Sequence, residues 1–155
     1  MYFINMIKEK YPNEKVLMFV DMDGVITDYN FNKPLDFKNK RPIKNNIETF
    51  KTISKIPNII LYILSICHND YQIAEKNNWL NENAPFFKKK NRIIISKESH
   101  PNTSSSILKY QTLKEIYEQN KDKIIIHIDD DNEILKYLKK ELPNIELYQD
   151  SSIQN

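Results

Sequence analysis

A chain of 155 residues with 40% hydrophobic residues is long enough to bury the core of one ordinary domain, and its only cysteine, Cys67, excludes an internal disulfide. A net charge of +2 does not by itself indicate nucleic-acid binding, and no run reaches the ~18 apolar residues of a membrane span. The N-terminus lacks the apolar core of a signal peptide, so we expect one cytoplasmic domain over residues 1–155, although an exported protein without disulfides would have the same composition.

Short apolar runs alternate with amphipathic stretches along the chain. The runs that predict buried parallel strands are VLMFV at 16–20, IILYIL at 59–64, RIIIS at 92–96, KIIIHI at 123–128 and a weaker IELY at 145–148. Helices are predicted over 2–10, 47–56, 71–81, 109–119 and 132–142. This order predicts an α/β fold, a doubly wound Rossmann-like three-layer sandwich with a parallel sheet of about five strands. Ligands of such folds bind at the carboxyl ends of the strands.

Acidic residues follow the first and fourth predicted strands. Asp21 and Asp23 come after the first strand, and Asp129 and Asp130 come after the fourth. Ser65 closes the second strand, which brings its hydroxyl to the same edge of the sheet. Carboxylates crowded together repel each other unless a cation lies between them, and oxygen ligands without His or Cys favour a hard cation, Mg²⁺.

The acids fit neither a calcium-binding loop nor a glycine-rich phosphate loop. An EF-hand loop that starts at Asp21 needs glycine at its sixth position and glutamate at its twelfth, where this chain has Ile26 and Asn32. The single glycine excludes a glycine-rich phosphate loop. Asp131 directly precedes a predicted helix and is expected to cap it, and Asp28 is expected to be a loop or capping residue.

The remaining titratable groups are not assigned a catalytic role. His127 lies inside a predicted strand and is expected to be a core or interface residue. Cys67 and His68 follow Ser65 closely and are expected near the site, but no arginine-bearing phosphate loop follows the cysteine.

Four stretches, in order, resemble the motifs of the haloacid dehalogenase superfamily, in its phosphatase branch. DMDGVITD resembles the first motif, Ser65 the second, Lys109 the third and IIHIDDD the fourth, so that the resemblance spans residues 16–132. Lys97 is the rival for the third motif. We prefer Lys109 because it precedes a helix with Leu113 and Ile116 on its inner face, which leads into the fourth strand.

The resemblance implies a magnesium-dependent phosphatase. Asp21 would be the nucleophile, and Asp23 the general acid and then the general base. Mg²⁺ would be held by Asp21, the backbone carbonyl of Asp23 and Asp130, and Asp129 would support the site through water or hydrogen bonds.

The resemblance also implies how the phosphoryl group is bound. Gly24 would let backbone amides of a tight loop approach the phosphoryl oxygens, which a side chain would prevent. Ser65 would donate a hydrogen bond to the group, and Lys109 would pair with it and with Asp21.

The spacing of the motifs leaves no room for a full cap domain. Only residues 27–41 separate the first motif from the next helix, and one helix, one strand and loops occupy the chain from Ser65 to Lys109. An open cleft suits a phosphate on a large molecule, or a small substrate covered by a short flap or a neighbouring subunit.

Residues 62–96 also resemble the corresponding stretch of the 5′(3′)-deoxyribonucleotidases. Lys76 and Trp79 carry this similarity, although the chain lacks the helical cap of those enzymes. Tyr29, Phe31 and Phe37 could then stack against a nucleobase, or they could be core residues, as could Trp79.

Three functions are compatible with the sequence. The first is a Mg²⁺-dependent phosphomonoesterase that acts on a nucleotide or similar small phosphate. The second is a polynucleotide end-processing 3′-phosphatase, for which the sequence shows no contiguous basic groove. The third is a non-enzymatic binding protein, whose usual signature, loss of Asp21 or Asp23, is not found. No membrane partner is expected, and an oligomer is compatible with the sequence.

Overall fold

The computed structural model describes residues 2–29 and 37–154, and these residues form five strands and five α-helices that alternate as predicted. The strands are β1 (Val16–Val20), β2 (Ile59–Cys67), β3 (Arg92–Ser96), β4 (Ile124–Asp129) and β5 (Glu146–Gln149). The helices are α1 (Tyr2–Lys10), α2 (Lys44–Ile53), α3 (Tyr71–Asn83), α4 (Ser105–Gln119) and α5 (Asn132–Glu141). Within the described part of the chain, no helix is both long and apolar enough to cross a bilayer.

The boundaries of α2, α4 and β2 differ from the prediction. Helix α2 begins and ends three residues earlier than predicted. Helix α4 begins at Ser105, one turn before the predicted start, because the Ser104 side chain accepts a hydrogen bond from the Ile107 amide and caps a first turn that has no apolar periodicity. Strand β2 continues past Ser65 to Cys67, because Ser65 and Cys67 pair with Ile94 and Ser96 of β3. Ser65 therefore lies within β2 and not after its end.

All five strands are parallel, and their order in the sheet is β3-β2-β1-β4-β5. The chain passes from β1 to β2 and β3 on one side, and then returns to the other side of β1 for β4 and β5. The direction of winding therefore reverses between β1 and β4, and a crevice opens at their carboxyl ends. This confirms the predicted doubly wound parallel sheet. That residues 1–155 form a single domain stays a prediction.

Alternation along β1 divides the core into two layers. Val16, Met18 and Val20 pack in a cluster with apolar residues of α1, α2 and α3. Leu17 and Phe19 face the other way and pack with residues of α4 and α5. Helices thus cover both faces of the sheet, as buried parallel strands require.

Asp131 caps α5, as predicted. Its side chain accepts hydrogen bonds from the amides of Glu133 and Ile134, two donors that the helix itself leaves without partners.

We expect Asp131→Ala to lower the free energy of unfolding by about 1 kcal/mol in urea titrations. The matched control is Asp122→Ala, since Asp122 is exposed and contacts only the Lys123 ammonium, at 3.5 Å, among the described residues. An equal loss in the two variants would contradict the capping role.

Candidate active site

Three carboxylates meet where β1 and β4 end side by side. Asp21 follows β1, Asp129 is the last residue of β4, and Asp130 follows it. One carboxylate oxygen from each lies within 4.8 Å of the others, an arrangement that could hold a metal ion. Burial raises the pKa of Asp21 well above its usual range, and the charge of Asp129 adds to this. Burial also raises the pKa of Asp130, again with a contribution from Asp129.

Lys109 bridges the two strands beneath this cluster. Its buried ammonium lies 2.6 Å from Asp129 Oδ2 and 3.1 Å from Asp21 Oδ1. Burial alone would lower the pKa of Lys109, but the charges of Asp21 and Asp129 outweigh it and the net shift is upward. Burial likewise acts to raise the pKa of Asp129, but Lys109 and then His127 outweigh it and hold the carboxyl well below its usual range. Lys109 and Asp129 are therefore both charged and form a buried ion pair.

The cluster has the charge and the donor atoms for one divalent cation. With all three carboxylates ionised, the single ammonium of Lys109 leaves two negative charges uncompensated. The donors are all oxygens, which suits a hard cation. Asp129 is the least available ligand, because Oδ2 accepts from Lys109 and Oδ1 accepts from the amide of Asp131. Asp21 and Asp130 thus fit a metal directly, with Asp129 as their support.

The side chain of Asp23 pairs with two lysines, Lys40 and Lys76. These three residues are here named the lysine clamp. Lys40 Nζ lies 2.5 Å from Asp23 Oδ1, and Lys76 Nζ lies 3.1 Å from Asp23 Oδ2. Burial acts to raise the pKa of Asp23, but the two ammoniums outweigh it, so the net pKa is lowered. The side chain of Asp23 is therefore ionised and separate from the acidic cluster, which leaves its backbone carbonyl as the group predicted to bind the metal.

Lys76 connects the clamp to Ser65. Its Nζ donates to Ser65 Oγ at 2.6 Å and to the Ile66 carbonyl at 3.0 Å. Ser65 is fully buried within β2, so the hydroxyl is held in place by the sheet and by this contact. The structure thus brings Ser65 next to the clamp, although it lies inside the strand.

Gly24 has a conformation that only glycine adopts readily. Its φ is +81°, the only positive φ among the described residues, and its amide donates to the Thr27 carbonyl at 2.8 Å. A Cβ at this position would overlap the carboxylate of Asp130 and the ring of Tyr29. Both reasons for a glycine, the dihedral and the close approach, therefore apply.

Most of the aromatic residues that could stack on a base are either buried in the core or outside the described residues. Phe37 is buried, its ring meets Trp79 edge-on, and both clamp ammoniums lie about 5 Å from its centre. Phe37 and Trp79 are therefore core residues. Tyr29 is about half exposed, and its hydroxyl donates to Asp130 Oδ2. Phe31 lies outside the described residues.

The remaining candidates lie around the acids. Lys97 opens a short 3₁₀ turn after β3 and makes no ion pair with the acidic cluster among the described residues, so Lys109 is the lysine that reaches Asp21. His127 is buried in β4 as predicted, but it also contacts Asp129: its Nε2 lies 2.9 Å from Asp129 Oδ2, and its Nδ1 lies 3.0 Å from the Phe19 carbonyl. Cys67 is buried beside the clamp.

Lys40 was missed by the sequence analysis. It lies in a run of polar residues that also contains the exposed Lys38, and nothing in the linear pattern distinguishes the two. In the structure Lys40 is buried, its ammonium pairs with Asp23, and the indole of Trp79 donates to its carbonyl at 2.9 Å. Only these tertiary contacts distinguish Lys40 from the exposed lysines of the same segment.

Comparison with known proteins supports the fold. No protein-family model matches the chain, and no curated protein matches it. A chain of the structure titled "Structure of Pnkp1/Rnl/Hen1 complex" matches with a TM-score of 0.66 and 15% identity, over 88% of this chain and 46% of that one. A chain of the "Pnkp1/Rnl/Hen1 RNA repair complex" matches with a TM-score of 0.65 and 15% identity, over 88% of this chain and 42% of that one. This chain thus spans less than half of either chain, and at such identity the similarity shows the fold alone.

The acidic cluster should make the order of stability of the wild type and an Asp130 variant depend on Mg²⁺. Because the folded-state pKa values of Asp21 and Asp130 are raised, ionisation of these groups at neutral pH destabilises the metal-free fold. We therefore expect Asp130→Asn to raise the melting temperature in EDTA. With Mg²⁺ at about 100 times its Kd, the wild type should gain about 2.7 kcal/mol and become the more stable of the two.

The matched control is Asp131→Asn, because asparagine caps a helix as well as aspartate does and Asp131 does not belong to the cluster. This variant should respond to Mg²⁺ like the wild type. Equal Mg²⁺ stabilisation of Asp130→Asn and wild type in calorimetric scans would show that the cluster does not bind the metal.

Proposed function

We propose that this protein is a Mg²⁺-dependent phosphatase that removes a terminal phosphate from a polynucleotide and forms an aspartyl-phosphate at Asp21. The observation that carries the proposal is the position of Asp21. Its carboxylate belongs to an acidic cluster suited to a divalent cation and also contacts the buried ammonium of Lys109. Asp23, two residues further along the chain, is held in the lysine clamp.

In the first step a carboxylate oxygen of Asp21 attacks phosphorus. The bond between phosphorus and the leaving oxygen breaks, and that oxygen takes a proton from Asp23. In the second step water attacks the phosphorus of the aspartyl-phosphate while Asp23 accepts a proton from it. The bond to Asp21 then breaks, which releases inorganic phosphate and restores both carboxyl groups.

The cation would be held by Asp21, Asp130 and the backbone carbonyl of Asp23, and when bound it supplies positive charge that offsets the negative charge of the transferring group. The protein's own groups do the positioning. Lys109 aligns Asp21, and its charge opposes the effect of burial on the pKa of that carboxyl, while the Ser65 hydroxyl would donate a hydrogen bond to a phosphoryl oxygen.

The lysine clamp gives Asp23 the protonation state that the second step needs. Its lowered pKa makes it a base in the substrate-free protein. An incoming phosphoryl group adds negative charge beside Asp23 and competes for the Lys76 ammonium, and both effects raise the pKa of Asp23 toward the acid form that the first step needs.

Two observations favour a polynucleotide over a small nucleotide. One of the similar solved structures is of the Pnkp1/Rnl/Hen1 RNA repair complex. Phe37, one of the aromatic residues that could have stacked on a free base, is in the core. A purely binding role is disfavoured because the cluster, the clamp and Lys109 are all in place.

Asp21→Asn tests the nucleophile. The variant keeps the shape of the side chain but removes its charge, so we expect turnover of a phosphorylated oligonucleotide to fall by on the order of 10³-fold or more. Because the raised pKa of Asp21 means that its charge destabilises the fold, the variant should melt no lower than the wild type. The control is Asp28→Asn, at an exposed loop position. Retention of a tenth of the activity by a folded Asp21→Asn would exclude Asp21 as the nucleophile.

Asp23→Asn tests the two-step chemistry. Without its acid, the first step should slow by roughly 100- to 10,000-fold for an alkoxide leaving group such as ribose, and much less for p-nitrophenolate. The second step loses its base for both substrates, so p-nitrophenyl phosphate should give a rapid burst followed by a slow phase in quench-flow experiments. Direct attack by water predicts no burst and similar losses on both substrates, and that result would falsify the assigned role of Asp23.

A further inference from the structure

A small cleft adjoins Asp23 and the lysine clamp. It has a volume of about 150 Å³, and its lining includes the three clamp residues together with Tyr29, Phe37 and His68. Sites that enclose a whole drug-sized ligand usually measure about 300–1,000 Å³. The described part of this cleft therefore suits one compact group of a larger molecule better than a whole nucleoside.

The cleft carries an excess of positive charge. Lys40 and Lys76 share a single carboxylate, and Asp23 is the only acid that lines the cleft among the described residues. Both ammonium-bearing side chains are at least 95% buried, so solvent compensates little of their charge. A second anion placed beside them would restore the balance.

The two lysines differ in how many of their donors are already used. An ammonium has three N–H groups, and Lys76 directs them to Asp23, Ser65 and the Ile66 carbonyl. Within residues 2–29 and 37–154, Lys40 hydrogen-bonds through its ammonium only to Asp23 Oδ1, and the ammonium otherwise lies over the ring of Phe37. Lys40 therefore has donors left for an anion in the cleft, whereas Lys76 is saturated.

The backbone around Lys40 is fixed before any ligand arrives. Trp79 holds its carbonyl, the Asp28 amide donates to the Arg41 carbonyl at 2.8 Å, and the Ile43 amide donates to the Ile26 carbonyl at 2.8 Å. These bonds tie the segment to the loop that carries Asp23. A backbone held in this way reduces the conformational freedom that the segment would lose when an anion binds to Lys40.

We propose that Lys40 binds a second phosphate of the substrate, the internucleotide phosphodiester next to the terminal phosphate. This inference rests on the proposed function. If Asp23 protonates the leaving oxygen, the sugar of the leaving group must lie beside Asp23, and the next phosphodiester lies just beyond that sugar. Lys40 is then a specificity-determining residue that selects polynucleotide ends over mononucleotides.

The test compares substrates that differ in one charge. A dinucleotide with a 3′-terminal phosphate is assayed with a natural phosphodiester and with an uncharged methylphosphonate linkage, and the same pair is made with a 5′-terminal phosphate. For the preferred end, the wild type should favour the charged linkage by roughly 10- to 100-fold in kcat/KM, as expected for a hydrogen bond to a charged group, with most of the effect in KM. In Lys40→Met this ratio should fall to near one.

Two further variants separate the loss of the Lys40 charge from a general effect on folding or on Asp23. Lys40→Arg retains a cation and should retain most of the preference, while Lys38→Met, at an exposed position in the same segment, should behave like the wild type. If Lys40→Met does not fold, the wild-type ratio and Lys40→Gln still decide.

Several outcomes would overturn the inference. A wild type that hydrolyses both linkages equally well shows that no second phosphate is bound, although the proposed phosphatase function stands. A Lys40→Met variant that loses the same factor on both linkages shows that Lys40 only supports Asp23. A wild type that hydrolyses none of these substrates, nor p-nitrophenyl phosphate, removes the proposed function and this inference with it.

Discussion

The contact between Lys109 and the carboxylates of Asp21 and Asp129 is the constraint on which the site depends. It joins the ends of β1 and β4, the two strands between which the sheet reverses its winding. Loss of the Lys109 ammonium would leave both buried carboxylates without a cationic partner, a change that typically costs about 3–5 kcal/mol. The same contact fixes the direction of Asp21, so structural stability and the position of the proposed nucleophile rest on one ammonium group.

The lysine clamp has a charge imbalance opposite in sign to that of the acidic cluster. The acidic cluster has two negative charges more than Lys109 can neutralise, whereas the lysine clamp has one positive charge more than Asp23 can neutralise. The two sets lie next to each other because Asp21 and Asp23 are two residues apart, at the start of the tight turn that Gly24 allows. A divalent cation would complete the first set, and a phosphate anion of the substrate would complete the second. The chain thus places complementary charge for both ligands of a phosphoryl-transfer reaction around the loop that follows β1.

Much of this arrangement could be predicted from the sequence. The apolar runs identified every strand, and acids at the ends of two parallel strands had to meet at one edge of the sheet. Lys109 could be preferred over Lys97 because its helix leads into β4. Ser65 was expected at the end of the strand, but cross-strand pairing with β3 extends β2 past it.

The remainder depends on tertiary contacts. Lys40 resembles any solvated lysine in the sequence, and only its ion pair with Asp23 and its burial in the folded chain show that its side chain turns inward. Phe37 could be a surface aromatic or a core residue on sequence grounds, and packing against Trp79 makes it core. His127 was rightly placed in the core, and it lies on the same face of β4 as Asp129 because side chains two residues apart in a strand point the same way, although the hydrogen bond itself is seen only in the structure.

The central claim is that phosphate passes through a covalent bond to Asp21. The most direct measurement is to quench the wild-type protein with acid during turnover of a phosphorylated oligonucleotide, reduce the trapped acyl phosphate with borohydride, and sequence the peptides by mass spectrometry. We predict conversion of Asp21 to homoserine, dependent on both substrate and Mg²⁺. Conversion at another carboxylate, or none while phosphate is released at full rate, would contradict the claim.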